Sequence, residues 1–244
     1  MITSKQNQTV KLIRSLSDKK FRDEHGLYVV SGVKLVKEVL SSSHKVVSIL
    51  ATDKHFGEFS KLFDGVETVT SDIMDYVSYE TTPQGVIAIV EKPTQSPIET
   101  NATCVLLDGV SDPGNVGAII RSMAGAGYGV AFLTSDCADP FSPKAVRASM
   151  SGIFKVKTYS IKREDALKYI RCPLIVADMG GEDVFSFNTP KEFCLVIGNE
   201  GRGISPEIRE KAQSVVRVPM QNGIESLNAS VSAGILMYEL KIKK

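Results

Sequence analysis

The chain has 244 residues, a formal net charge of +1, 43% apolar and 23% charged residues. That is enough for one large domain or two modest ones, with the composition of an ordinary globular protein. No apolar run reaches the roughly 18 residues of a membrane span, and MITSKQNQTVKLIRS lacks the apolar stretch of a secretory signal. A cytoplasmic protein with no membrane partner is therefore expected. Cys104, Cys137, Cys172 and Cys194 form no CxxC pair, which argues against a zinc or redox motif. The three histidines, His25, His44 and His55, all lie in the first quarter, so no later residue can serve as a histidine base or ligand.

Taken in order, Val10, Ile13 and Leu16 predict a helix over 7–23. Its Lys11, Arg14, Lys19, Lys20 and Arg22 form either a phosphate-binding face or a solvated one. LYVVSG, KVVSILA, VETVT and GVIAIVE read as strands, alternating with helices over VKLVKEVLSS, 54–62 and 71–78. Such alternation makes an α/β domain, assigned to 1–92. A proline-bearing polar linker follows at 93–100, and a second α/β series occupies 101–244. That series holds strands TCVLLD, GVAFLT, FKVKTY and PLIVAD, with helices at 115–126, 143–150 and 163–170. Two further strand–loop–helix units close the chain, each with a small polar turn.

Three loops carry the chemistry. In DPGNVGAIIRSMAGAG, Asn115 is a plausible N-cap, and Gly117, Arg121, Ala124 and Gly125 share a face of little bulk around one guanidinium. That face is either tight packing with Arg121 in a salt bridge or a place where a ligand approaches the charge. The glycines at 125, 127 and 129 end a helix instead of opening one. They are C-capping residues, not a dinucleotide-binding fingerprint. In CLVIGNEGRG, which follows a strand, glycines permit close backbone approach. Ser205 and Pro206 are placed to cap and start a helix, and Glu200 is a helix-dipole partner or, preferably, a site residue. In VPMQNGIESLN, Ser226 and Asn228 either cap the last helix or face the site. That helix has two apolar faces, Leu227, Val231, Ile235 and Tyr238 on one and Ala229, Ala233, Leu236 and Leu240 on the other. A second subunit would cover whichever the body does not.

Together NVGAIIRSMAGAG, LVIGNEGRGIS and VPMQNGIESLNASVSAG resemble the three motifs of the SpoU (TrmH-like) branch of the SPOUT RNA methyltransferases, in order and spacing, over about 101–244. The first half is similar to the family's ribosomal-protein-like RNA-binding domain, with PQGVIA as its closing signature. It departs in having Ser31 before Gly32, where the family often has glutamate. The resemblance implies a C-terminal α/β domain with a deep trefoil knot, an exception to the general absence of threaded chains, and a homodimer through that domain. It implies S-adenosylmethionine as cofactor, held at Thr134, Gly198, Val218 and Leu227, and methyl transfer to a ribose 2′-hydroxyl in RNA, foremost ribosomal RNA. Alternatives are a tRNA substrate or a non-catalytic RNA-binding assembly factor. Arg121 is the catalytic arginine by position, with Asn115, Glu200, Ser226 and Asn228 as the other polar active-site residues. Lys144, Arg147 and Ser149 in PKAVRAS are similar to a segment that contacts RNA. No metal is implied.

Overall fold

A computed structural model describes residues 1–94 and 96–242. Gln95 of the expected linker, and Lys243 and Lys244 of the basic tail, lie outside the described residues. The chain packs into two compact units, the first made of Met1–Thr94 and Phe141–Phe154 and the second of the remainder.

The first unit contains α1 (Gln8–Ser15), α2 (Lys19–His25), β1 (Leu27–Ser31), α3 (Val33–Leu40), β2 (Val46–Thr52), α4 (Asp53–Phe59), β3 (Glu67–Val69), α5 (Ser71–Val77) and β4 (Val86–Glu91). The sheet order is β1-β4-β2-β3, with β4 antiparallel to both neighbours and β2 parallel to β3. Val10, Ile13 and Leu16 are fully buried against it, as their spacing predicts. The helix expected over 7–23 is two. Asp18 accepts a hydrogen bond from the Lys20 N–H and starts α2 afresh, a carboxylate N-cap inside the predicted run. Arg22 then turns inward, 2% exposed, and donates to the Leu16 and Ser17 carbonyls. It satisfies the end of α1 and drops out of the basic face. Gly32 (φ +100°) leads into α3, whose Val33 N–H donates to Gln84 Oε1 at 3.1 Å. The Gln84-Gly85 pair thus closes onto the Ser31-Gly32 turn.

The second unit contains β5 (Cys104–Asp108), α6 (Pro113–Ala126) and β6 (Val130–Thr134). The chain then makes the excursion bearing α7 (Pro143–Ser149), and returns with β7 (Lys157–Ile161), α8 (Ala166–Tyr169), β8 (Leu174–Asp183), β9 (Cys194–Gly198), α9 (Pro206–Arg209), β10 (Ser214–Arg217) and α10 (Ala229–Ile242). Its six strands run in the order β10-β8-β9-β5-β6-β7, every pair parallel. Buried on both faces, β5, β6 and β9 read as unbroken apolar runs. Cys104 and Cys194 sit opposite each other in register, both fully buried, as expected of core residues.

Residues 141–154, placed above in the later domain, pack within the first unit. Phe141 lies 5.0 Å from Tyr28 and Phe154 5.3 Å from His44, ring centre to ring centre. Arg147 donates to the Tyr79 carbonyl at 3.3 Å. The helix pattern of PKAVRAS shows which side is apolar but not what it packs on. Among the described residues, no helix is long and apolar enough to cross a membrane.

Candidate active site

The chain rises through β5 and β9 side by side, and leaves each into a polar loop at the carboxyl edge. Parallel sheets bind ligands at this edge, where successive connections diverge. Asn199 ties the two loops, donating from Nδ2 to the Gly109 carbonyl at 2.7 Å. Its Oδ1 accepts the Gly201 and Arg202 N–H groups, and Asn199 and Gly203 exchange a pair of backbone hydrogen bonds at 2.9 Å. The GNEGRG turn is therefore a closed ring. It requires glycine at its root, since a Cβ on Gly198 would lie 2.5 Å from the Gly203 carbonyl carbon.

Glu200 projects from this ring onto the first loop. Its carboxylate accepts from the Ser111 N–H and hydroxyl (3.3 and 3.2 Å), the Asp112 N–H (3.4 Å) and Asn115 Nδ2 (2.9 Å). Asn115 was read as the N-cap of α6, but Asp112 is the cap, accepting the Asn115 N–H at 2.9 Å. The Asn115 side chain is therefore free of capping and reaches across the site. Its Oδ1 accepts from Asn228 Nδ2 at 3.0 Å. Asn228 also caps α10, accepting the Ser230 N–H. Glu200, Asn115 and Asn228 are thus one hydrogen-bonded chain joining all three loops. Ser205, by contrast, makes no side-chain cap to α9, and its Oγ is buried without a hydrogen-bond partner.

Partial burial works against the Glu200 carboxylate, but the Asn115, Ser111 and Asp112 donors prevail and hold its pKa below the ordinary value. A depressed folded-state pKa means that this contribution to docking is complete above the ordinary glutamate range and disappears as pH falls through the lowered value. Glu200→Gln should therefore slow turnover about tenfold at neutral pH, the low end for bonds to a partly solvated charge. It should also remove an acid limb from the rate profile of the parent protein. Steady-state rates taken from the acid limit of the folded protein up to pH 8 read this, and identical profiles would count against the docking role.

Between the loops lies a cavity of about 390 Å³, whose lining includes Gly198, Glu200, Val218, Ser226, Leu227 and Asn228. Six of the residues named from sequence thus share one cavity, and Asn115 is bonded into its rim. Arg121 does not line it. The guanidinium is on the exposed side of α6, with no hydrogen bond or ion pair among the described residues, so the salt-bridge reading fails. Thr134 is also outside. It is 2% exposed, accepts the Gly109 N–H at 2.9 Å and donates to Asp136 at 2.6 Å, so its hydroxyl is engaged away from the cavity. The residues that sequence reasoning missed are Ala177, Asp178 and Met179 after the apolar part of β8. The signal was the Gly180-Gly181 pair beyond them, the same strand-then-glycine pattern as in the GNEGRG loop. Asp178 is ion-paired to Arg209, which lowers its pKa. Lys144 and Arg147 are exposed in the first unit, but Ser149 is fully buried and donates to the Val146 carbonyl. Its hydroxyl is engaged inside the helix and is not exposed alongside Lys144 and Arg147.

Comparison with known proteins shows the family. The SpoU rRNA Methylase family model matches residues 102–238, and the MRM3-like substrate binding domain matches residues 7–88. The 23S rRNA (guanosine(2553)-2′-O)-methyltransferase RlmP of Bacillus subtilis is 30% identical over 98% of each chain. The crystal structure of an AdoMet-bound rRNA methyltransferase from Sinorhizobium meliloti superposes with a TM-score of 0.88 at 29% identity, covering 99% of this chain and 97% of that one. AviRb from Streptomyces viridochromogenes, a SpoU methyltransferase in complex with AdoMet, gives a TM-score of 0.87 at 25% identity, with 97% and 98% covered. The fold is that of the S-adenosylmethionine-dependent RNA 2′-O-ribose methyltransferases. The chain belongs to the SpoU rRNA methylase family.

The cavity suits that cofactor. It is large enough for a nucleoside with an amino-acid arm, Gly198 and Gly203 are among its lining residues, and Leu227 and Val218 offer apolar contact. Among the described residues, no cluster of His, Cys, Asp and Glu is placed to hold a metal ion.

Proposed function

We propose that this protein methylates a ribose 2′-hydroxyl of ribosomal RNA in the cytoplasm, as a homodimer. One observation carries the assignment of the site: Gly198, Val218 and Leu227 share a cavity with Glu200, Ser226 and Asn228, with Asn115 hydrogen-bonded to both Glu200 and Asn228. The bound cofactor supplies an electrophilic methyl group on a sulfonium. Gly198, Val218 and Leu227 hold it, together with the Ala177–Met179 backbone. Glu200 fixes the first loop, Ser226 and Asn228 orient the nucleotide, and Arg121 positions phosphate or polarises the incoming hydroxyl. Displacement at methyl demands alignment of nucleophile and carbon and removal of one proton, which is what such groups contribute. Lys144 and Arg147 are proposed to contact RNA phosphates.

Support for ribosomal RNA comes from the full-length likeness to a 23S enzyme and from the substrate-binding model matched at 7–88. Labelled cofactor offered with purified rRNA and tRNA separates the substrates: methyl incorporation is expected in rRNA, and incorporation in tRNA alone would overturn this choice. The family's knot is proposed for the final segment. Residues beyond β10 leave the sheet edge, yet α10 packs on α6, which follows β5 in the middle of the sheet. There Tyr128 donates to the Met237 carbonyl at 3.0 Å and Lys241 to the Gly127 carbonyl at 2.6 Å.

The homodimer rests on the two faces of α10. Ala233, Leu236, Met237 and Leu240 are buried, whereas Val231 and Tyr238 remain 49% and 46% exposed. Tyr238 Oη stands 2.9 Å from where a Cβ on Gly125 would lie, so this open apolar stripe borders the small-residue face of α6 that carries Arg121. Val231→Glu with Tyr238→Glu is expected to halve the mass seen by sedimentation equilibrium. A parent protein that sediments as a monomer would contradict the dimer.

A further inference from the structure

Behind the GNEGRG ring the second unit holds a separate cleft of about 200 Å³, bordered by Asp108, Asp136, Arg163, Arg202 and Ser205. Asp108 ends β5 with its side chain 1% exposed. Its two oxygens have different partners. Oδ1 accepts from Arg163 Nε at 2.7 Å, and Oδ2 accepts the backbone N–H of Ser205, also at 2.7 Å. Arg163 extends its other arm to Asp136 Oδ2 at 2.7 Å, and Asp136 Oδ1 accepts the Thr134 hydroxyl. This accounts for Thr134 and for a guanidinium that the transfer reaction does not use. The ends of β5 and β6 and the turn after β7 are thereby joined, with one bond left over that reaches the loop after β9.

That bond matters because of where it falls. The ring is held at its start by Asn199 on the Gly109 carbonyl, and at its exit by Ser205 on Asp108. Adjacent residues of the β5 end therefore grip both ends of a loop that supplies Gly198, Asn199, Glu200 and Gly203 to the cofactor cavity. A glycine-rich ring has little intrinsic preference for one shape, so these two anchors add to its internal bonds and to the Glu200 contacts in fixing where it sits.

We propose that Asp108 and Arg163 are positioning residues for cofactor binding. Asp108 fixes the exit of the GNEGRG ring through the Ser205 N–H, and Arg163 holds the Asp108 carboxylate in the orientation that makes this bond. The proposal rests on the reading of the 390 Å³ cavity as the cofactor site.

The test uses the full-length protein, S-adenosylhomocysteine as calorimetric probe, and amide exchange of the unliganded protein. Asp108→Asn keeps the shape but replaces one acceptor oxygen with an NH2 donor, so only one of the two bonds can remain. It is expected to raise Kd and the cofactor KM about tenfold, the loss of roughly one charge-assisted hydrogen bond. The kcat at saturating cofactor should stay within about twofold, since the anchor serves binding more than the reacting atoms. Exchange should accelerate at the 201–205 amides and not in β5 or β9. Unchanged Kd and loop exchange would overturn the proposal, as would equal loss of protection throughout the sheet. If Asp108→Asn fails to fold, Asp136→Asn loosens Arg163 without touching the buried carboxylate, and a Kd increase of about threefold decides in its place; no increase overturns the proposal. Gly198→Ala separates the two levels. Unchanged affinity in that variant refutes the cavity reading itself, whereas lost affinity there with normal affinity in the Asp108 variant refutes only the anchor.

Discussion

Arg121→Ala should slow methyl transfer by about 10²–10⁴-fold while leaving a folded protein. The side chain is exposed on α6 and has no hydrogen bond or ion pair among the described residues. Truncation then removes no buried contact, and a stability change within about 0.5 kcal/mol is expected for such a surface site. The rate effect runs the other way. A group that assists proton removal or steers the nucleophile typically contributes 10²–10⁴-fold, so a loss of about that size is predicted in single-turnover rates at saturating cofactor. Guanidinium is too basic to accept the proton on its own, and its planar fork can hold a phosphate in two places at once. Arg121→Lys should therefore recover only a small part of the rate. A melting curve and one rate measurement suffice, and a folded Arg121→Ala protein with the parent rate would end the catalytic assignment.

The second large effect is expected at Gly198. One methyl group there would meet the Gly203 carbonyl carbon at 2.5 Å, its oxygen at 2.6 Å and the Ile204 nitrogen at 2.7 Å. These are backbone atoms of the same ring, not the flexible end of a side chain, so the ring itself has to move. Overpacking of this kind costs about 1–3 kcal/mol. Gly203 also lines the proposed cofactor cavity, and a shift near 1 Å can cost about 100-fold. Gly198→Ala is thus predicted to bind S-adenosylhomocysteine about 100-fold more weakly while still unfolding cooperatively. Calorimetric titration at parent-like affinity would show that this loop does not hold the cofactor.

Much of the site was legible because its signals are local. CVLLD and CLVIG are unbroken apolar runs ending in small polar turns, the pattern of central parallel strands opening at their carboxyl edge. The turns also contained the residues that the fold brings together, Asn115, Glu200 and Asn228. What escaped were competitions between near-equivalent partners and choices made over long range. Asp112 and Asn115 are both good caps, and only the three-dimensional placement of Glu200 and Asn228 explains why the aspartate caps and the asparagine does not. Thr134 ends a strand like the others, but β6 sits on the far side of β5 from β9, so its hydroxyl serves the Asp108 network instead of the cavity. The apolar side of PKAVRAS was visible, whereas its burial in the first unit was not. For that reason deletion of residues 1–95 is a poor test of domain roles, since it would strip Phe141 and Phe154 of the rings they pack on.

The most direct test of the account is where the transferred methyl ends up. The full-length protein would be incubated with radiolabelled S-adenosylmethionine and unmodified ribosomal RNA, and the product digested to nucleosides and, separately, hydrolysed in alkali. Label is expected in a single 2′-O-methylnucleoside, next to a phosphodiester that resists alkali because its 2′-oxygen is blocked. Label on a base, or no incorporation into ribosomal RNA by the folded protein, would contradict it.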